Sequence, residues 1–100
     1  MVDITYSKNT VTAKLNGEID HHNAPDIRRS IDAKCESFRP KILVLDFSGV
    51  SFMDSSGIGL IMGRYRQISY LGGKLEVVNV PDMLKRIISL SGIERLGVLK

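Results

Sequence analysis

The sequence of 100 residues contains one cysteine, no tryptophan and no apolar run long enough to span a membrane. Because Cys35 has no second thiol to pair with, an internal disulfide is excluded, and we expect a core thiol in a reducing compartment. A membrane span needs about 20 apolar residues, and Val2–Tyr6 alternates apolar and polar residues instead of forming an export signal. These absences predict a cytoplasmic protein that has no membrane partner.

The sequence also lacks a cluster of charge of one sign. Its formal net charge is +3, but lysine and arginine alternate with acidic residues along several predicted elements. Single-strand binders require basic residues interleaved with aromatic ones, so we predict a solvated surface and no direct contact with nucleic acid. The only histidines, His21 and His22, are adjacent and are expected to point apart, which predicts no metal site.

The first half of the chain predicts two strands and a helix. Hydrophobic residues make up 43% of the sequence, enough for one core, so we predict a single domain over residues 1–100. Alternating apolar residues on either side of Ser7–Thr10 predict a hairpin, and Gly17 marks a bulge or a bend. A helix capped by Asn23 follows, with apolar positions at Ala24, Ile27, Ile31, Cys35 and Phe38.

Strands and helices alternate in the second half. Lys41–Phe47 is a nearly continuous apolar run, typical of a strand buried on both faces. We predict a helix over Ile58–Leu71, a short strand near Leu75, a third helix that begins after Pro81, and a final strand over Leu96–Leu99. The order ββαβαβαβ predicts an α/β fold with a small mixed β-sheet and helices packed mainly on one face.

The run Phe52–Gly59 joins the buried strand to the second helix. Asp54, Ser55 and Ser56 are all residue types that cap helices, and the amides beyond them lack intrahelical acceptors and carry partial positive charge. A phosphate group on one of these serines is therefore favoured there. From the residues alone, Ser55 is either a cap or a phosphate acceptor, and Asp54 either a second cap or a residue that presents Ser55 or contacts a partner.

Three glycines mark the second helix. Gly57 and Gly59 each cost about 1 kcal/mol relative to alanine, which indicates that the backbone closely approaches either the sheet or a partner. Gly59 and Gly63 lie one turn apart, and we expect them to leave a shallow groove along the helix.

Two other functions fit the sequence less well. A serine hydrolase needs a glycine two residues before its nucleophile and a separate histidine base, and the sequence provides neither, so we predict no enzymatic activity. Gly57–Gly63 has the glycines of a dinucleotide fingerprint, but it begins ten residues after Phe47 instead of directly after the strand. A small nucleotide-binding module therefore stays the alternative, and no cofactor is predicted.

Several segments together resemble the anti-anti-sigma factors of the STAS domain family. The Asp-Ser-Ser-Gly block after a buried strand, combined with Gly-Glu-Ile-Asp-His-His upstream, is the most specific part of the likeness. The resemblance spans nearly the whole chain, and its segments are Gly17–His22, Leu45–Phe47, Ser51–Gly59, Gly63–Tyr65, Gly72–Gly73 and Leu90–Ile93.

This resemblance implies a transcription regulator that acts by partner switching, as in sporulation. Its unphosphorylated form would bind an anti-sigma factor serine kinase in its ATP-bound state and release a sigma factor. Matching the motif implies that Ser55 is the phosphorylated residue, with Ser56 its unmodified neighbour, and that a phosphatase removes the phosphate. Asp20 and His21 are implied to contribute to docking. The expected partner-binding residues are Asp20, His21, Asp54, Ser55, Ser56, Gly57 and Gly59.

Overall fold

Strands and helices follow one another along the chain as the sequence patterns predict, up to the last segment. The structure is a computed structural model that describes residues 1–100. Its four strands are β1 (Val2–Ser7), β2 (Thr10–Ile19), β3 (Ile42–Met53) and β4 (Lys74–Val78). Its three α-helices are α1 (Ala24–Phe38), α2 (Ser55–Tyr70) and α3 (Asp82–Ser91), and a 3₁₀ turn covers Ile93–Leu96.

The strands form one mixed sheet in the order β1-β2-β3-β4. β1 and β2 are antiparallel, and the β2/β3 and β3/β4 pairs are parallel. The turn between β1 and β2 places Lys8 at φ 52° and Asn9 at φ 65°. Two consecutive positive φ angles are typical of the type I′ turn, whose twist matches that of paired strands. The predicted hairpin is therefore confirmed.

One face of the sheet is buried and the other is partly open. Across β2, β3 and β4, Val11, Leu43 and Leu75 lie side by side on the buried face. α1 packs against β1 and β2, and α2 packs against β3 and β4 as well as against α1. On the opposite face Ile42 and Val44 are only half-buried, so the expectation that β3 is buried on both faces is wrong. The predicted mixed sheet with helices mainly on one face is confirmed.

The pairing of β2 with β3 shifts register twice, between Lys14 and Asn16 and between Gly17 and Glu18. Gly17 adopts φ 82°, a left-handed conformation that glycine tolerates, so the predicted irregularity at this residue is confirmed as a bulge. Beyond the bulge, pairing resumes and ends with Ile19 opposite Met53. The two loops that follow these strands therefore begin side by side at one end of the sheet.

The C-terminal segment forms no full strand. Val98 O accepts from Val77 N–H at 2.8 Å, and Lys100 N–H donates to Val77 O at 2.9 Å, which makes one isolated bridge. The predicted strand over Leu96–Leu99 is wrong because Leu96 closes the 3₁₀ turn and Gly97 leaves it at φ 70°. None of the helices is both long enough and apolar enough to cross a bilayer.

Candidate functional site

The turn between β3 and α2 is held by Asp54. Its backbone is extended, with φ −103° and ψ −166°, and its carboxylate accepts a hydrogen bond of 2.7 Å from Ser56 N–H. Its carbonyl oxygen accepts from Gly57 N–H at 3.0 Å. Asp54 is thus the N-cap of α2, which places Ser55 in the first helical position. The reading of Ser55 as the cap is wrong, because the preceding carboxylate already occupies that position.

The Ser55 side chain is exposed to solvent. Its hydroxyl group makes no hydrogen bond within the chain, whereas Ser56 is half-buried. A free hydroxyl at a helix N-terminus is accessible to another protein, and the partial positive charge of the first turn favours an added anion. The geometry of this turn therefore suits group transfer onto Ser55.

The separate roles of Asp54 and Ser55 give a measurable prediction. Asp54→Ala removes the only side chain that caps α2 and should lower the free energy of unfolding by about 1 kcal/mol. Ser55→Ala should leave it unchanged, because no hydrogen bond is lost. Urea denaturation followed by circular dichroism measures both values. Equal destabilisation by the two variants would contradict this division of roles.

Asp20 closes the loop after β2. One carboxylate oxygen accepts hydrogen bonds from His22 N–H and Asn23 N–H, each 3.0 Å long. The bond from Asn23 is the main reason why the pKa of Asp20 lies below its usual value. The Asn23 side chain donates to Glu18 O and does not cap α1, so the predicted cap is wrong. Asp20 therefore has a structural role in shaping the loop that leads into α1.

Strand pairing places the Asp20–His22 loop beside the Asp54 turn. Asp54 N–H donates to Ile19 O at 3.2 Å, which links the two segments directly. His21 is exposed, and its ring centroid lies 4.0 Å from that of His22, so the expectation that the two rings point apart is wrong. His21 and Ser56 line the same groove. The structure thus brings these sequence-predicted residues together at one end of the sheet.

The two glycines of the predicted site have different environments. Gly57 is buried, and a Cβ atom added to it would lie 2.1 Å from Cγ of Met53 and 3.4 Å from Cγ2 of Ile19. Gly59 is exposed, and a Cβ atom there would meet nothing within 4 Å. Packing against the core therefore accounts for Gly57. Gly59 faces open space, and docking by either residue stays a prediction.

A groove of about 370 Å³ separates the start of α1 from α2. Gly59 and Gly63 both line it, and a Cβ atom at either would have no neighbour within 4 Å, which confirms the groove expected beside these glycines. The sequence analysis did not predict that this groove is positively charged. Its wall contains Arg28, Arg64 and Arg66.

Arg64 is a functional candidate whose burial the sequence analysis did not predict. It is only 6% exposed, and its Nε lies 3.0 Å from Oδ1 of Asp32 on α1, without the alignment of a hydrogen bond. Nη1 also has no hydrogen-bond partner. Burial lowers the pKa of Arg64 and raises that of Asp32, and their mutual attraction opposes both shifts. The assignment of all basic residues to a solvated surface is therefore wrong for Arg64.

The helical periodicity of the residues that α2 buries includes this arginine. The buried face of α2 contains Gly57, Leu60, Ile61, Arg64 and Ile68. Arg64 lies seven residues after Gly57 and four before Ile68, on the same stripe. Tyr65 is half-buried beside that stripe. A charged residue within such a stripe indicates a buried ion pair or a site.

Comparisons with known proteins agree with this architecture. The STAS domain family model matches residues 1–99. The chain is 30% identical to the anti-sigma F factor antagonist of Paenibacillus polymyxa over 95% of the chain and 81% of that protein. It is 29% identical to the anti-sigma-B factor antagonist of Bacillus subtilis (strain 168) over 93% of the chain and 84% of that protein.

Solved structures give the same relationship. The anti-sigma factor antagonist SpoIIAA in its unphosphorylated form superimposes with a TM-score of 0.87 at 28% identity, covering 100% of this chain and 86% of that one. SpoIIAA of Bacillus in its phosphorylated form gives a TM-score of 0.78 at 28% identity, covering 100% and 89%. The match over nearly the whole length confirms the resemblance read from the sequence, and the chain belongs to the STAS domain family.

Proposed function

We propose that this protein is an anti-sigma factor antagonist controlled by phosphorylation of Ser55. Its unphosphorylated form binds an anti-sigma factor serine kinase in the ATP-bound state, and this binding releases a sigma factor. Phosphate on Ser55 ends the interaction, and a phosphatase restores it. The proposal rests above all on the Ser55 hydroxyl group, which is exposed, free of hydrogen bonds and located in the first turn of a capped helix.

The position of Ser55 explains why a kinase would choose this hydroxyl group. Phosphoryl transfer requires an oxygen that can be aligned with the γ-phosphate, so the acceptor must fit into another protein's nucleotide site. Ser55 is exposed, whereas Ser56 is half-buried and its amide is bound to Asp54. Accessibility therefore favours Ser55 over its neighbour as the acceptor.

Phosphorylation would act on the interface and leave the fold intact. The phosphate adds about −1.5 to −2 charges next to the carboxylate of Asp54, while the helix N-terminus accommodates them locally. Burying that charge against a nucleotide-bearing partner costs several kcal/mol unless a cation meets it. The relative SpoIIAA has been solved in both covalent forms, and both superimpose on this chain, which supports a switch without refolding.

The remaining predicted residues surround this hydroxyl group. His21 and Gly59 are exposed beside it and provide contact surface for the partner, whereas Asp20 and Asp54 shape the two loops through hydrogen bonds to backbone amides. Gly57 acts by letting α2 approach Met53. We infer a non-enzymatic cytoplasmic regulator that makes no direct contact with nucleic acid, because its own residues provide binding and presentation of a hydroxyl group.

A phosphorylation assay tests the proposal. The protein is incubated with the purified anti-sigma factor kinase, Mg²⁺ and labelled ATP, and the modified peptide is identified by mass spectrometry. Wild type and Ser56→Ala should incorporate one phosphate, and Ser55→Ala none. Because the exposed Ser55 side chain makes no hydrogen bond within the chain, Ser55→Ala should keep the fold, and loss of labelling would report the missing hydroxyl group. Labelling of Ser55→Ala, or labelling of the wild type without kinase, would refute the proposal.

A further inference from the structure

The groove between α1 and α2 is lined by more positively charged side chains than have acidic partners. Arg28, Arg64 and Arg66 contribute to its wall, and no carboxylate does. Only Arg64 has an acidic partner within ion-pair distance, which is Asp32. With Glu36 close enough to act on Asp32, the three guanidinium groups outnumber the two carboxylates of this region. Mutual repulsion among the arginines contributes to the lowered pKa of Arg64.

Arg64 shows that this charge lies inside a structured site. Its side chain is more than nine-tenths buried, and its Nη1 makes no hydrogen bond in the folded protein. Nε and Nη1 are closed off from solvent, whereas Nη2 is neither sealed nor hydrogen-bonded, so Nη2 is the end of the guanidinium group that can reach a molecule in the groove. The open floor at Gly59 and Gly63 leaves room for such a molecule beside the arginine.

We propose that this groove binds a phosphate dianion, either free or carried on a small organic group. Planar guanidinium forks match the oxygens of phosphate, and a dianion is attracted by the excess of positive charge at the groove. The Ser56 side chain lies at the same groove and offers a further hydroxyl donor. The only aromatic ring in the lining is that of His21, which already lies against His22 with ring centroids 4.0 Å apart, so the arginines and the phosphate group provide the recognition. This proposal does not rest on phosphorylation of Ser55.

An NMR titration at constant ionic strength tests the site. Inorganic phosphate and phenyl phosphate are added separately at pH 8, with sodium chloride balanced throughout. Both should shift the amide resonances of Ser56, Gly59 and Gly63 in a saturable way. Tighter binding of phenyl phosphate would show that the groove also holds the organic group, and equal affinities would identify the free ion as the ligand. Shifts that fail to saturate, or that appear elsewhere, would overturn the proposal.

Matched arginine variants distinguish a specific phosphate site from general electrostatic attraction. Arg28→Gln and Arg66→Gln should each weaken phosphate binding about tenfold, the loss of one charge-assisted contact. Arg29→Gln is the control, because Arg29 is adjacent to Arg28 and pairs with Asp26 outside the groove. Gly59→Leu should also abolish binding by filling the groove at an exposed position where no atom lies close. If Arg28→Gln and Arg29→Gln weakened phosphate binding equally, the effect would come from net charge alone, and the proposed site would be refuted.

Discussion

Ser55→Asp should weaken binding to the anti-sigma factor kinase by about a hundredfold, whereas Ser55→Ala should bind as tightly as wild type. The hydroxyl group of Ser55 is exposed, and its loss removes no contact within the fold. A carboxylate at this position adds a second negative charge beside Asp54, and docking would bury both against the partner. Isothermal titration calorimetry with the ATP-loaded kinase measures the two affinities directly.

A control is needed because any added negative charge alters long-range attraction. Ser30→Asp places the same change at another exposed helical serine, on α1, and should change the affinity by less than about threefold. Circular dichroism should show the same helix content for all three variants. If Ser55→Asp and Ser55→Ala bound the kinase equally, the Ser55 hydroxyl group would have no role in the switch.

Alanine at the two glycines of α2 should change stability in opposite directions. The Cβ atom of Gly57→Ala would overlap the Met53 side chain, and such overpacking costs roughly 1–3 kcal/mol, more than alanine gains over glycine in a helix. Met53 is itself only 5% exposed, so it has little space to move. Gly59→Ala meets no atom and should raise the free energy of unfolding by about 0.5–1 kcal/mol. Guanidinium denaturation at one temperature compares the two.

The same pair also separates packing from docking. Gly59→Ala should keep the fold and, if the partner approaches this part of the helix closely, lose affinity for the kinase at unchanged or higher stability. Gly57→Ala should lose stability first, and any loss of affinity should follow the folded fraction. An increase in stability for Gly57→Ala would show that the contact with Met53 does not constrain the helix.

Much of the fold follows from local patterns in the sequence. The alternation around Lys8 and Asn9 predicts the first hairpin, and the structure has it with the two positive φ angles that such a turn requires. The periodicity of apolar residues predicts burial wrongly where packing by neighbouring elements decides it. Phe38 was assigned to the apolar stripe of α1, yet it is 41% exposed and stacks on Tyr6 with ring centroids 4.3 Å apart. The open face of β3 is another such case, since only tertiary structure reveals that no helix of the α1–α2 layer covers Val44.

The sequence singles out the residues of the candidate site but does not separate their roles. Asp54, Ser55 and Ser56 were all cap candidates by residue type, and their order could not decide which one begins the helix. The structure decides it through one hydrogen bond, from Ser56 N–H to Asp54. The buried pair of Arg64 with Asp32 joins residues of two helices far apart in sequence, so no motif records it. The arginine groove beside Ser56 arises from the same packing of α1 on α2.

Capping by Asp54 has a consequence for the protein's lifetime in the cell. Because the cap bond does not involve Ser55, a phosphoryl group there leaves the helix start intact, and charge effects should change the free energy of unfolding by only about 1 kcal/mol or less. Proteases that attack transiently opened chains would then degrade the two forms at similar rates. Under the switch proposed above, the phosphorylated form would persist as a reserve, and the ratio between the two forms would be set mainly by the rates of phosphorylation and dephosphorylation.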